Sequence, residues 1–174
     1  ALQKLDEIMT TAGIRYWISA GTLLGAIRHQ GLIPHDDDLD IECLEEDIDK
    51  IAKLPLEGVY EGFQCGGTWE GFPVRKLKFK GEIHVDVFPR RLSLVTVDGE
   101  DQNKPACPSL ERKNFPSRHE IFPLERYAFC NVQVWGPSRT KCESYLKRLY
   151  GEACFEEVLI WNHVRCEGLT SEVL

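Results

Sequence analysis

Apolar positions change period several times along the first half of the chain, and each change marks an element boundary. Leu2, Leu5, Ile8 and Met9 recur at helical spacing, and Gly13 follows as a stop. Ile14 to Ser19 is aromatic and β-branched, which predicts a strand. Gly21-Thr22 opens a short helix through His29, and Gly31 to Pro34 reads as a turn. From Leu39 to Cys43 apolar and acidic residues alternate as on a strand. An amphipathic helix follows over Glu45 to Lys53, stopped before Pro55.

Val59–Gln64, Val74–Phe79 and Ile83–Phe88 are expected as short strands, with turns at Gly66-Gly67 and Gly81. Leu92–Val97 reads as a further strand, ended by Asp98-Gly99. Asp101 to Arg118 is polar and holds three prolines, which predicts a loop. Val132–Val134 is a short strand. Pro137 is expected at the first turn of a helix whose Cys142, Tyr145, Leu146, Leu149 and Tyr150 share a face, closed by Gly151. The expected fold class is therefore α/β (α+β), a mixed, largely antiparallel sheet flanked by helices. Neither a repeat nor a linker divides residues 1–174, so one domain is expected.

Length and composition narrow this picture. The chain has 174 residues, 43% of them apolar and 28% charged, enough for a core without staples. The net charge of −7 argues against a nucleic-acid binder that works through a global basic surface. No uncharged stretch is long enough to span a membrane. Seven scattered cysteines include no C-x-x-C pair, so reduced thiols and a cytoplasmic setting are expected. An anchor preceding residue 1 would instead imply the lumen of the secretory pathway. A zinc site of Cys154, His163 and Cys166 is the alternative that spacing alone offers.

The chemistry concentrates between Gly21 and Asp40. On a strand, positions two apart point to one face, so Asp38 and Asp40 converge. Adjacent ionised carboxylates repel unless a cation resolves them, and hard oxygen ligands suit Mg²⁺ or Mn²⁺. Asp86, inside the apolar run His84 to Phe88, is the third carboxylate; an adjacent antiparallel strand would bring it within reach. Three such acids form a clamp for phosphoryl transfer. A solvated acidic face is the other reading that the spacing leaves open. An EF-hand is excluded, because Ile41 stands where its glycine is required. Gly21-Thr22 at a helix start adds phosphate-binding N–H groups. Lys76, Lys78 and Lys80 alternate to one face, either as a solvated strand face or to neutralise a diphosphate.

Gly21 to Asp40, His84-Val85-Asp86, Phe122-Pro123-Leu124, Gly136-Pro137 and Leu149-Tyr150-Gly151 together resemble the LicD/fukutin family of phosphotransferases. The resemblance implies a nucleotidyltransferase-type fold. It also implies transfer of a phospho-alcohol, of phosphocholine or alditol-phosphate type, from a CDP-linked donor to a glycan or sugar hydroxyl, with release of CMP. By the same resemblance Asp38, Asp40 and Asp86 are the metal-holding catalytic carboxylates, with Asp36 assisting. Gly21, Thr22, Gly25 and Arg28 fall on the family's phosphate-side loop and helix. His35 departs from the family's usual Trp before the acidic run. Lys76 and Lys78 complete the expected substrate-binding set, and Tyr16, Trp17 and Trp69 are stacking candidates for the base, with the core as their plainer place. A nucleotidyltransferase moving NMP from an NTP, and a non-catalytic nucleotide or glycan sensor, are the rival readings.

Overall fold

A computed structural model describes residues 2–34, 36, 38–55, 60–69, 72–79, 84–90, 96–97, 100–101, 118–162 and 167–173. Helix α1 (Leu2–Thr11) buries Leu2, Leu5 and Met9 on one stripe, and Gly13 at φ +67° ends it. Strand β1 (Tyr16–Ile18) is shorter than the apolar run around it, and α2 (Ala20–Arg28) follows after one residue. Strand β2 (Asp38–Leu44) leads into a 3-10 turn (Glu45–Asp47) and a single-turn α3 (Ile48–Ile51) in place of the longer helix expected.

Strands β3 (Tyr60–Trp69), β4 (Phe72–Phe79) and β5 (His84–Arg90) complete a five-stranded sheet of order β1-β2-β5-β4-β3. Three neighbouring pairs are antiparallel, and β2 with β5 is parallel. That corrects the expectation of antiparallel strands around Asp86. The chain leaves β2, crosses through α3, adds β3 and β4 at the edge, and returns beside β2 running the same way. Gly66-Gly67 lies inside β3, where the register with β4 shifts between Cys65 and Thr68, so these glycines accompany an irregularity instead of the expected turn.

Short hairpins follow: β6 (Thr96–Val97) with β7 (Glu100–Asp101), β8 (Glu125–Phe129) with β9 (Val132–Gly136), and β10 (Glu157–Asn162) with β11 (Glu167–Val173). A single turn α4 (Arg118–Ile121) precedes β8. Helix α5 (Glu143–Tyr150) starts six residues after Pro137, because the Ser138 carbonyl accepts the N–H groups of Lys141 and Cys142 in a turn. His35, Asp37, Lys80, Gly81, residues 92–95, Asp98-Gly99, residues 102–117, His163 and Cys166 lie outside the described residues. Cys43, Cys130, Cys142 and Cys154 are free thiols. Among the described residues no helix is long and apolar enough to cross a membrane.

The main core joins α1, α2, α5, the five-stranded sheet and the β8–β9 hairpin around Leu5, Met9, Ile18, Leu23, Ile41, Val85, Val87, Tyr127 and Leu146. Asp6 fastens α1 to its neighbours: both nitrogens of the Arg126 fork donate to it, at 2.8 and 2.7 Å, and the Tyr16 hydroxyl donates at 2.7 Å. The β2 alternation sorts its side chains. Leu39, Ile41 and Cys43 enter the core, which leaves Asp38, Asp40 and Glu42 on the opposite face.

Candidate active site

Two glycines of α2 set the site's geometry. A Cβ on Gly25 would collide with the Gly31 carbonyl oxygen and lie 3.1 Å from the Ile33 nitrogen. Gly25 therefore lets the segment after α2 pack directly on the helix, fixed by the Gly31 N–H to the Gly25 carbonyl at 3.3 Å. One turn earlier, a Cβ on Gly21 would stand 3.1 Å from Asp36 Oδ2 and 3.8 Å from Asp40 Oδ2. The missing side chain leaves a small cradle between these carboxylates at the first turn of α2. Ala20, just before it, holds a left-handed φ of +44°, a strained turn from β1 into the helix.

Backbone bonds place Asp40 with equal care. Its N–H donates to Thr22 Oγ1 at 2.7 Å, and its carbonyl accepts the Ser19 N–H at 3.1 Å. The Tyr145 hydroxyl accepts the Ala20 N–H at 3.3 Å and props the start of α2 from α5. Across the sheet, Asp40 stands in register with Asp86 and Asp38 with His84. Register partners share a face, so the parallel pair brings Asp86 beside Asp40.

Burial pushes the Asp40 carboxyl well above the usual carboxylate range; the charges of Asp38, Asp86 and Asp36 push the same way, and the Gly21 N–H opposes them. Two residues on, Glu42 shows how this face holds a structural carboxylate. Trp17 Nε1 donates to its Oε2 at 2.9 Å and Arg90 Nη2 to its Oε1 at 2.6 Å. Asp40 has other carboxylates where Glu42 has an arginine and an indole.

The structure thus gathers Asp36, Asp38, Asp40 and Asp86 with Gly21 and Thr22. Gly25 serves the loop packing, and Arg28, two helical turns from Gly21, feels the Cys154 thiol and not the acids. Arg28 Nε and Nη2 are buried without a hydrogen-bond partner among the described residues, and burial lowers the guanidinium's pKa. Lys76 is in register with Asp86 and Lys78 with His84. Tyr16 and Trp17 are buried in the core, which removes them as stacking candidates for a base. The residue that the hydrophobic pattern concealed is Tyr150: its helical spacing reads as core, yet Asp40, Asp36 and Asp38 all act on its hydroxyl. Burial and then its neighbours, Tyr145 and those acids, hold the phenol's pKa well above its ordinary value.

Among the described residues no group of three or more His, Cys, Asp or Glu side chains is already placed to hold a metal ion. The donor chemistry nevertheless suits a hard divalent cation: carboxylate oxygens on two adjacent strands and a loop, with the Gly21 cradle open between Asp36 and Asp40.

The family described as LicD/FKTN/FKRP, nucleotidyltransferase domain, matches residues 13–139. An uncharacterized protein of Rickettsia prowazekii is 34% identical over 142 residues, which cover 79% of this chain and 48% of that protein. Human ribitol 5-phosphate transferase FKRP is 33% identical over 90 residues, 47% of this chain and 18% of its own length. Lipopolysaccharide cholinephosphotransferase LicD of Haemophilus influenzae is 36% identical over 50 residues, 29% of this chain and 19% of its own. The chain therefore spans less than half the length of each of these relatives. A lincomycin-bound structure of the lincosamide antibiotic adenylyltransferase LnuA superposes with a TM-score of 0.45 at 15% identity, covering 85% of this chain and 93% of that one.

Proposed function

Since the chain belongs to the LicD/FKTN/FKRP nucleotidyltransferase domain family, we propose that it is a metal-dependent phosphotransferase. It moves a phospho-alcohol unit from a CDP-linked donor to a glycan or sugar hydroxyl and releases CMP. The relatives named as ribitol 5-phosphate transferase and cholinephosphotransferase support the class of transferred group. The observation that carries the reading is the register of Asp40 with Asp86, beside Asp38 and Asp36, at the first turn of α2.

Asp38, Asp40 and Asp86 would hold Mg²⁺ or Mn²⁺, with Asp36 beside them. Bound there, the cation supplies neutralisation of the donor diphosphate and of the charge that develops in transfer. The chain's own groups do the remainder. The first turn of α2, at Gly21 and Thr22, favours a phosphate through the helix dipole, while the Gly21 N–H itself serves Asp40. Thr22 acts chiefly through Asp40, whose N–H its hydroxyl holds. Lys76 and Lys78, whose backbone positions are in register with Asp86 and His84, are the cations assigned to the donor diphosphate. Asp86, nearly buried at 9% exposure, is the base assigned to the acceptor hydroxyl's proton. Arg28 supplies a guanidinium with two nitrogens, Nε and Nη2, that have no hydrogen-bond partner among the described residues, for an anionic part of the donor.

With Mg²⁺ present, CDP and CMP should protect the protein against thermal unfolding more than ADP, GDP or UDP do, and CMP should appear on incubation with CDP-linked donors and a sugar acceptor. Pyrophosphate released from CTP or ATP would identify a nucleotidyltransferase instead. Indifference to every nucleotide would leave a non-catalytic module.

A further inference from the structure

Tyr150 is the large apolar side chain that the fold leaves most open among the described residues, at 38% exposure. It is the last residue of α5, and Gly151 at φ +94° ends the helix directly behind it. A tyrosine at such an end ordinarily sends its hydroxyl to water and its ring to the core. Here the hydroxyl turns inward. It lies 3.8 Å from the point a Gly21 Cβ would occupy, the same point that is 3.1 Å from Asp36 Oδ2 and 3.8 Å from Asp40 Oδ2. No hydrogen bond to it is made among the described residues, whereas the neighbouring Tyr145 hydroxyl is engaged by the Ala20 N–H. Helix α5 thus presents two phenols to the start of α2. One supports the backbone, and the other is an unmet donor at the cradle.

The chemistry of the place decides what that donor is for. A phenol stays protonated at neutral pH, so it offers an O–H without adding charge to a crowd of carboxylates. A lysine there would ion-pair with the acids and compete with a cation for them. A neutral donor leaves the carboxylates to a cation and has its O–H available for whatever anion arrives with it. Phosphate oxygens are strong acceptors of such bonds, and the dipole at the start of α2 favours the same kind of ligand.

We propose that Tyr150 is a substrate-contacting residue of this site, whose O–H donates a hydrogen bond to a phosphate oxygen of the donor at the cradle formed by Gly21, Asp36 and Asp40. The inference rests on reading the acid cluster as a phosphotransfer site and assigns that site a contact outside its acids, glycines and basic residues.

Titration calorimetry of CDP and of inorganic pyrophosphate, each with Mg²⁺, into wild type and Tyr150→Phe tests it. The variant keeps the ring and loses only the O–H. Both ligands should bind the variant about tenfold more weakly, the factor expected of a hydrogen bond to a charged acceptor. The melting temperature and the Mn²⁺ affinity measured without nucleotide should match wild type. Equal ligand affinities in the two proteins would overturn the proposal while leaving the phosphotransfer reading intact. A wild type that binds neither ligand would overturn that reading, and the proposal with it. Weakening confined to CDP would overturn the phosphate contact, because the hydroxyl would then serve the base or sugar. A lowered melting temperature with unchanged affinities would make Tyr150 a structural residue and overturn the proposal as well.

Discussion

Glu42 and Asp6 show what it takes for this protein to hold a carboxylate by itself. Glu42 is met by Arg90 and Trp17, both buried, and removing either would leave an uncompensated charge in the interior. Asp6 is met by the Arg126 fork and the Tyr16 hydroxyl. Burial pushes its carboxyl up, but the hydrogen bonds from Arg126 and Tyr16 outweigh that and bring it below the ordinary 3.8. A depressed folded-state value contributes stability above the unfolded value and loses it as pH falls through the folded one. Asp6→Asn should therefore lower the free energy of unfolding at pH 7 by about 1–2 kcal/mol, allowing for the partial exposure of Arg126. Urea unfolding across a pH series should show the gap to wild type closing as the pH drops below 3.8.

At the scale of elements, α2 does two separate jobs through two glycines of one stripe. Gly25 admits the backbone of Gly31 and Ile33, so a methyl there meets atoms that cannot turn away. Gly21 faces the end of a side chain, Asp36 Oδ2, which can shift. Gly25→Ala should destabilise the protein by about 1–3 kcal/mol, as overpacking does, despite the better helix propensity of alanine. Gly21→Ala should keep wild-type stability or gain slightly, yet lose Mn²⁺ affinity because its methyl fills the cradle. Denaturant unfolding together with Mn²⁺ titration separates the two outcomes, and a Gly21→Ala protein with undiminished Mn²⁺ affinity would count against the cradle as the cation's place.

For the whole molecule, the acids matter because a parallel strand pair, a helix start and a loop deliver them to one place from distant parts of the chain. A cation bound there stabilises only the folded state, by about 2.7 kcal/mol at a hundredfold excess over its Kd. Mg²⁺ should therefore raise the melting temperature of wild type, and more so with CDP present. Asp38→Asn should lose that rise while its metal-free form melts no lower than wild type, since one repulsive charge is gone. Equal Mg²⁺-dependent shifts in the two proteins would remove Asp38 from the site.

Local pattern sufficed wherever an element's own residues decide its form. The Leu2, Leu5, Met9 stripe, a helix opening within one residue of Gly21 and the alternation around Asp38 and Asp40 are all present in the structure, because helical and strand periods are properties of neighbours in sequence. The mixed, largely antiparallel sheet followed from the same reading. The later hairpins carry little local signal: β8 and β9 turn at Cys130-Asn131 with Cys130 at φ +54°, where no glycine marks a turn. Tertiary structure alone decided that β5 returns parallel to β2, since strand direction depends on where the intervening β3 and β4 attach. It also decided that Gly25 serves loop packing, that Trp17 joins Glu42 in the interior, and that the Tyr150 hydroxyl reaches the acids. Each of these depends on a contact between segments far apart in sequence, and residue spacing carries no record of which distant segment a side chain will meet.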